Sequence, residues 1–138
     1  MGGHLIIRDF YIRDSDWCVR VYCLDESFDS RPILGDLRAL KPKDKDLLIV
    51  KDMLQNEGLN WGFTFSSYKD RKTLMVIGPA ESQKEYFGTI NHESFHLAKH
   101  IAQCDGLDPF SEEVAYISGG VAGEIYDAFK DIICLRCR

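Results

Sequence analysis

The apolar residues in the first half of the chain follow a strand pattern and then a helix pattern. Residues 5–12 and 16–24 are rich in Ile, Val, Tyr and Phe, and they predict two strands joined by a polar turn. Residues 31–40 and 43–56 then predict two helices, the second of which ends at Gly58.

The second half of the chain follows the same order of strands and helices. Residues 61–67 and 73–78 predict a hairpin. Ser82 and Glu85 form a capping box, in which the serine accepts a bond from the backbone and the glutamate returns one. This box predicts the start of a long helix that ends at Gly106.

A last helix is predicted from Ser111 to about Cys134. Gly119, Gly120 and Gly123 lower its helix propensity, and we interpret them as allowing close approach of another backbone. The order ββααββαα predicts an α+β fold with a small antiparallel or mixed sheet packed against helices. Neither a repeat nor a linker interrupts the chain, so residues 1–138 are expected to form a single domain.

The long predicted helix contains the pattern His-Glu-x-x-His, formed by His92, Glu93 and His96. Residues four apart lie on one face of a helix, so both imidazoles can reach one zinc ion. Glu93 lies close enough to exchange a proton with a water on that ion. The pattern therefore predicts a Zn²⁺ site with His92 and His96 as metal ligands and Glu93 as the catalytic base.

A catalytic zinc site needs a third protein ligand. His100 continues the row of histidines, but it lies about 12 Å from His92 along a straight helix, too far to share one ion. We therefore expect a carboxylate from the start of the last helix, Glu112 in preference to Glu113. Glu112 shares a face with Tyr116. Its alternative role is to complement the helix dipole.

Two further interpretations of the histidines remain open. They can be surface residues without a role, or they can hold a zinc ion that serves stability or partner binding without catalysis. Cys134 and Cys137 form a C-x-x-C pair, which we interpret as reduced or incidentally oxidised thiols because the sequence contains no second such pair.

The charge and composition narrow the class of protein. The net charge of −5 and the pI of 5.3 argue against nucleic acid and acidic membranes as partners. An apolar run of about 18 residues is absent, and so is a secretory signal pattern at the N-terminus. The five cysteines are an odd number, which favours reduced thiols. We expect a cytoplasmic protein.

The segment from Trp61 to Cys137 resembles a family of small His-Glu-x-x-His proteins that bacterial phages and conjugative elements encode. The resemblance rests on three stretches besides the zinc motif: residues 62–68, 75–78 and 108–119. The family is described as zinc metallopeptidases of the broad zincin type, mostly without assigned substrates. In more distant phage relatives a glutamate stands four residues before the tyrosine of an Ala-Tyr pair, and that position is Glu112 here.

The resemblance implies a minimal zincin-like domain and a peptidase reaction. In zincins generally, an edge strand beside the zinc-binding helix holds an extended peptide, and the candidates here are the strands at 61–67 and 73–78. We expect Glu93 to act as general base on a zinc-activated water, with Tyr116 or His100 as a donor to the oxyanion. The alternative is a non-enzymatic zinc-binding protein.

Overall fold

The computed structural model describes the backbone of residues 5–136 and the side chains of residues 6–130. Strands and helices follow one another in the order ββααββαα, which confirms the predicted order and the α+β class. The elements are β1 (Leu5–Tyr11), β2 (Cys18–Leu24), α1 (Arg31–Ala39), α2 (Asp44–Asn56), β3 (Gly62–Ser67), β4 (Lys72–Ile77), α3 (Gln83–Asp105) and α4 (Glu112–Arg136).

The four strands form one mixed sheet in the order β1-β2-β4-β3. β1 pairs antiparallel with β2, and β3 pairs antiparallel with β4. The central pair, β2 and β4, is parallel. β1 and β3 are therefore the edges of the sheet, and β3 is the edge strand on the side of the zinc motif.

Helices cover both faces of the sheet because the central strands are apolar on both sides. On one face, side chains of β2 and β4 pack with α3 and α4 around buried residues that include Val21, Met75, Leu97, Ile125 and Phe129. On the opposite face, α1 and α2 pack against a second cluster that includes Tyr22, Leu24, Ile33, Leu37, Leu74 and Val76.

Local sequence signals set both ends of α3. The Ser82 side chain accepts a hydrogen bond from the backbone N–H of Glu85, which satisfies one of the free donors of the first turn. At the other end Gly106 adopts φ +69° and donates its backbone N–H to Ala102. A left-handed residue of this kind is favourable for glycine and ends the helix.

The surroundings of three glycines of α4 differ from those that the sequence predicted. A Cβ atom built on Gly119, Gly120 or Gly123 would meet no atom within 4 Å. The expectation that these positions allow another backbone to approach is therefore wrong within the described part of the chain. All three are exposed, and the helix packs on the sheet through Val121, Ile125 and Phe129 instead.

Among the described residues, Cys18, Cys23 and Cys104 are free thiols. The predicted role of the C-x-x-C pair falls outside the described residues, since these include neither the Cys134 side chain nor Cys137. Among the helices of the described region, none has the length and apolar content that crossing a bilayer requires.

Candidate metal centre

The two histidines of the motif converge on one point beside α3. Nε2 of His96 lies 3.0 Å from Nε2 of His92, and the two rings meet at 76°. Two nitrogen ligands about 2.05 Å from a tetrahedral zinc ion would be about 3.3 Å apart. The pair therefore has nearly the spacing that one shared ion needs.

Glu93 lies against this pair. Its side chain is buried, whereas the side chains of both histidines are exposed. Only 4% of Glu93 is exposed. Its Oε1 accepts a hydrogen bond of 2.8 Å from the Thr64 hydroxyl, while its Oε2 lies 3.9 Å from Nε2 of His92. One carboxylate oxygen is thus held by the sheet, and the other faces the histidines.

One face of β3 builds the wall that α3 packs against. Gly62, Thr64 and Ser66 are two residues apart, so they lie on the same side of the strand. A Cβ on Gly62 would lie 3.1 Å from Cγ of Glu93 and 2.7 Å from the carbonyl oxygen of Val76. The glycine therefore lets the edge strand approach the helix at the level of Glu93.

The third member of this face, Ser66, binds a histidine that is not part of the motif. Its hydroxyl lies 2.7 Å from Nδ1 of His100 and 2.8 Å from the hydroxyl of Thr73. Burial, followed by the nearby His96, lowers the pKa of His100 below its usual value of 6.5. Ser66 thus holds His100 against the sheet, and His100 does not join the histidine pair, as its distance along the helix predicts.

The structure does not bring Glu112 to the histidine pair. Glu112, Glu113 and Tyr116 line a cavity of about 1100 Å³ between the start of α4 and the turn that joins β1 to β2. Neither His92 nor His96 lines that cavity. The physical reason is that α4 packs on α3 from the side of β1, whereas the zinc motif faces β3.

Other carboxylates near the end of α3 are already engaged. Asp105 forms an ion pair of 2.7 Å with Arg71, which also binds Asp16. Within the part of the chain that the structure describes, no three His, Cys, Asp or Glu side chains are gathered so that they could hold one ion. The residues present therefore fit two positions of a zinc shell, and the remaining ligand is not in place.

Sequence reasoning missed Thr64 and Ser66, which hold Glu93 and His100. Their signal was present in the alternation of the strand, where Phe63 and Phe65 alternate with small and polar residues. Such alternation places the two hydroxyls on one face. Only the structure shows that this face meets α3.

Comparisons of the chain with protein-family models, with curated proteins and with solved structures give no match.

Proposed function

We propose that the protein is a zinc-dependent metallopeptidase of the zincin-like type, with its reaction centre on the face of α3 that meets β3. The observation that carries this proposal is the 3.0 Å approach of the two Nε2 atoms beside the buried Glu93 carboxylate. Burying the Glu93 carboxylate costs free energy. If the two histidines were surface residues without a role, nothing about them would require that burial.

The roles of the residues follow from their contacts. His92 and His96 would hold the ion through Nε2. When bound, zinc supplies a Lewis acid that makes water nucleophilic near neutral pH and polarises a carbonyl. Glu93 takes up a proton at Oε2, the oxygen that faces the histidines, and returns it to the leaving amine. Thr64 keeps the other oxygen occupied, so that the carboxylate has one orientation.

The peptide would lie along β3. Among the described strands β3 pairs only with β4, so the backbone groups of its outer edge are available to a substrate strand. An extended peptide on that edge passes the end of the Glu93 side chain, because Thr64 on the same strand touches that carboxylate.

Glu112 remains our predicted third ligand, and its participation requires the first turn of α4 to approach the histidines. Two features support it: Glu112 is exposed, and no Lys, Arg or His side chain forms an ion pair with it among the described residues. A chelator-competition titration tests this. Glu112→Ala should weaken zinc binding strongly, and the neighbouring Glu113→Ala serves as the matched control.

The main experiment combines metal content with peptide hydrolysis. Protein purified without chelator should contain about one zinc per chain, and His96→Ala should contain none. Glu93→Gln should keep the metal and lose hydrolysis of a peptide library, because glutamine preserves shape without the base. A protein that takes up no zinc when zinc is added would refute the proposal.

A second function fits the incomplete ligand set. With two histidines in place and no third ligand gathered among the described side chains, a partner protein could supply the remaining ligand to a bridging, non-catalytic ion. In that case Glu112→Ala and Glu113→Ala would both leave zinc binding nearly unchanged. Glu93→Gln would also leave the zinc-dependent association with the partner unchanged.

A further inference from the structure

A smaller cavity of about 460 Å³ lies directly beside the candidate centre, along the last turns of α3. Its apolar walls come from Ala102, Leu107 and Pro109. Its polar lining comes from His96, which also belongs to the histidine pair, and from Lys99, His100 and Gln103. None of the residues that line it is acidic, although the chain as a whole carries a net charge of −5.

The Nδ1 atom of His100 ends a chain of hydrogen bonds that begins at Trp17. The indole N–H of Trp17 can only donate, and it donates to Oγ1 of Thr73 at 2.8 Å. Thr73 is 3% exposed, and its hydroxyl has one other partner, Ser66. If Thr73 also accepted from Ser66, its own proton would be buried without an acceptor, which is costly.

Thr73 therefore donates to Ser66, which leaves the proton of the Ser66 hydroxyl free to be donated to Nδ1 of His100. In that arrangement a neutral imidazole carries its proton on Nε2. This nitrogen has no partner among the described side chains, and it is not one of their buried polar atoms that lack a partner. It is therefore accessible to solvent, and His100 lines the cavity.

Two more of the polar side chains that line the cavity, those of Gln103 and Lys99, offer donors. Oε1 of Gln103 accepts a bond of 2.9 Å from the Tyr68 hydroxyl, which leaves the amide NH₂ group to donate. Lys99 is exposed and lies with Nζ 5.6 Å from the centre of the Phe95 ring, with no carboxylate partner in the described region. An ammonium group carries donors only.

The C-terminal end of a helix carries partial negative charge and repels anions, and the cavity lies near that end of α3. The carbonyl oxygen of Ala102, which belongs to the cavity wall, accepts bonds from the backbone N–H groups of Gly106 and Leu107. These bonds offset the partial charge of that carbonyl. The ammonium of Lys99 adds a full positive charge on the same side.

We infer that this cavity is a subsite for a carboxylate group of the peptide substrate, held by Nε2–H of His100, the Gln103 amide and the Lys99 ammonium. The identification of the ligand as part of a peptide rests on the proposed function. The carboxylate can be the C-terminus of the peptide or the side chain of an acidic residue, since both present the same two acceptor oxygens.

The test uses three peptides of equal length and protein kept free of zinc, so that failure of the metal site does not affect it. One peptide is acetylated tetraalanine with a free C-terminus, one is its C-terminal amide, and one is the amide with a glutamate at the third position. Binding is followed by NMR on the backbone amides of the cavity. A carboxylate peptide should bind about tenfold tighter than the neutral amide.

The two carboxylate peptides show whether the bound carboxylate is a peptide C-terminus or an acidic side chain. Preference for the free C-terminus assigns the subsite to a terminal carboxylate, and preference for the glutamate peptide assigns it to a side chain. Equal binding of all three peptides overturns the inference. If the preference is found but the protein binds no zinc, the subsite stands and the proposed function fails.

Matched variants show whether the named donors cause the preference. Gln103→Glu replaces the amide donor by an acceptor of the same shape, and Lys99→Met removes the charge, so each should remove most of the preference. Gln83→Glu makes the same charge change at the start of α3, away from the cavity, and should retain it. If Gln103→Glu and Gln83→Glu behave alike, the cavity is not the site.

The tautomer has a spectroscopic signature of its own. In the ¹⁵N spectrum of the neutral wild type, Nδ1 of His100 should appear as the bare nitrogen and Nε2 as the protonated one. Ser66→Ala should shift this ring toward a mixture and weaken carboxylate binding, whereas the neighbouring Ser67→Ala should change neither. A protonated Nδ1 in the wild type would overturn the assignment of His100 as the donor.

Discussion

The hydroxyl of Thr64 on β3 donates a hydrogen bond of 2.8 Å to Oε1 of Glu93 on α3. This contact ties the edge strand of the sheet to the residue between the two histidines. It also satisfies one oxygen of a carboxylate that is 4% exposed. A buried carboxylate is tolerated only when such partners are present, so the strand and the helix depend on each other at this point.

Replacing Thr64 by valine should therefore destabilise the protein. Valine keeps the branched shape and removes the hydroxyl, so we expect the free energy of unfolding to fall by about 1.5–3 kcal/mol, the range for a hydrogen bond to a charged group. Thr64→Ser retains the hydroxyl and should cost less. Urea denaturation measures both, and a double-mutant cycle with Glu93→Ala isolates the coupling; additive effects would mean that the contact is not formed.

Gly62 should tolerate no side chain. A Cβ there would lie 2.7 Å from the carbonyl oxygen of Val76 and 2.8 Å from Cγ2 of Thr89, so strand and helix would have to separate. We expect Gly62→Ala to lower the free energy of unfolding by about 1–3 kcal/mol.

Gly88 on α3 provides the matched control, because nothing lies within 4 Å of its Cβ position. Gly88→Ala should raise the free energy of unfolding by about 0.5–1 kcal/mol, since alanine is the better helix former. Chemical denaturation of both variants measures whether Gly62→Ala lowers the free energy of unfolding while Gly88→Ala raises it. Two changes of the same sign would contradict the close approach of β3 to α3.

Ser94 offers a stabilising substitution. Its hydroxyl is fully buried on the core side of α3 and has no hydrogen-bond partner among the described residues. An unsatisfied buried hydroxyl costs free energy, and alanine has the higher helix propensity. We expect Ser94→Ala to raise the free energy of unfolding by about 1 kcal/mol, with a higher midpoint of thermal unfolding. A lower midpoint would indicate a partner for this hydroxyl.

His100 should make the fold sensitive to acid. Burial, and then His96, lower its pKa in the folded state, so the unfolded chain binds the proton first as the pH falls. As the pH falls below the unfolded-state pKa of about 6.5, protonation of His100 in the unfolded chain lowers the free energy of unfolding. This loss of stability is complete once the pH is below the folded-state pKa.

The free energy of unfolding of the wild type, measured from neutral to acidic pH, should fall more steeply than that of His100→Gln. Subtracting the two curves removes the contributions of the other titrating groups. Parallel curves would show that His100 is as easily protonated in the folded protein as in the unfolded chain.

The order of the elements and the ends of α3 could be predicted because their signals are local. Ser82 and Gly106 act on backbone groups within one turn of themselves, so neither depends on the rest of the fold. The parallel pairing of β2 with β4 carries no such signal, because the two strands are far apart in sequence and both are apolar.

The two histidines and Glu93 could be placed from helical spacing alone, whereas Glu112 could not. Spacing on α4 fixes which residues share a face, but not the side from which that helix packs on α3. That side is set by the burial of Val121, Ile125 and Phe129 against the sheet, and it turns Glu112 toward the β1–β2 turn.

The parallel pairing of β2 with β4 also bears on how the molecule assembles. β3, β4 and α3 follow one another directly along the chain, so their contacts close short loops. β2 can join β4 only across the whole segment from Leu24 to Lys72, and long-range pairing of this kind slows folding. We therefore expect the hairpin and the helix that bear the candidate centre to meet early. The rate of folding would then be limited by the arrival of the β1–β2 pair, which completes the sheet behind them.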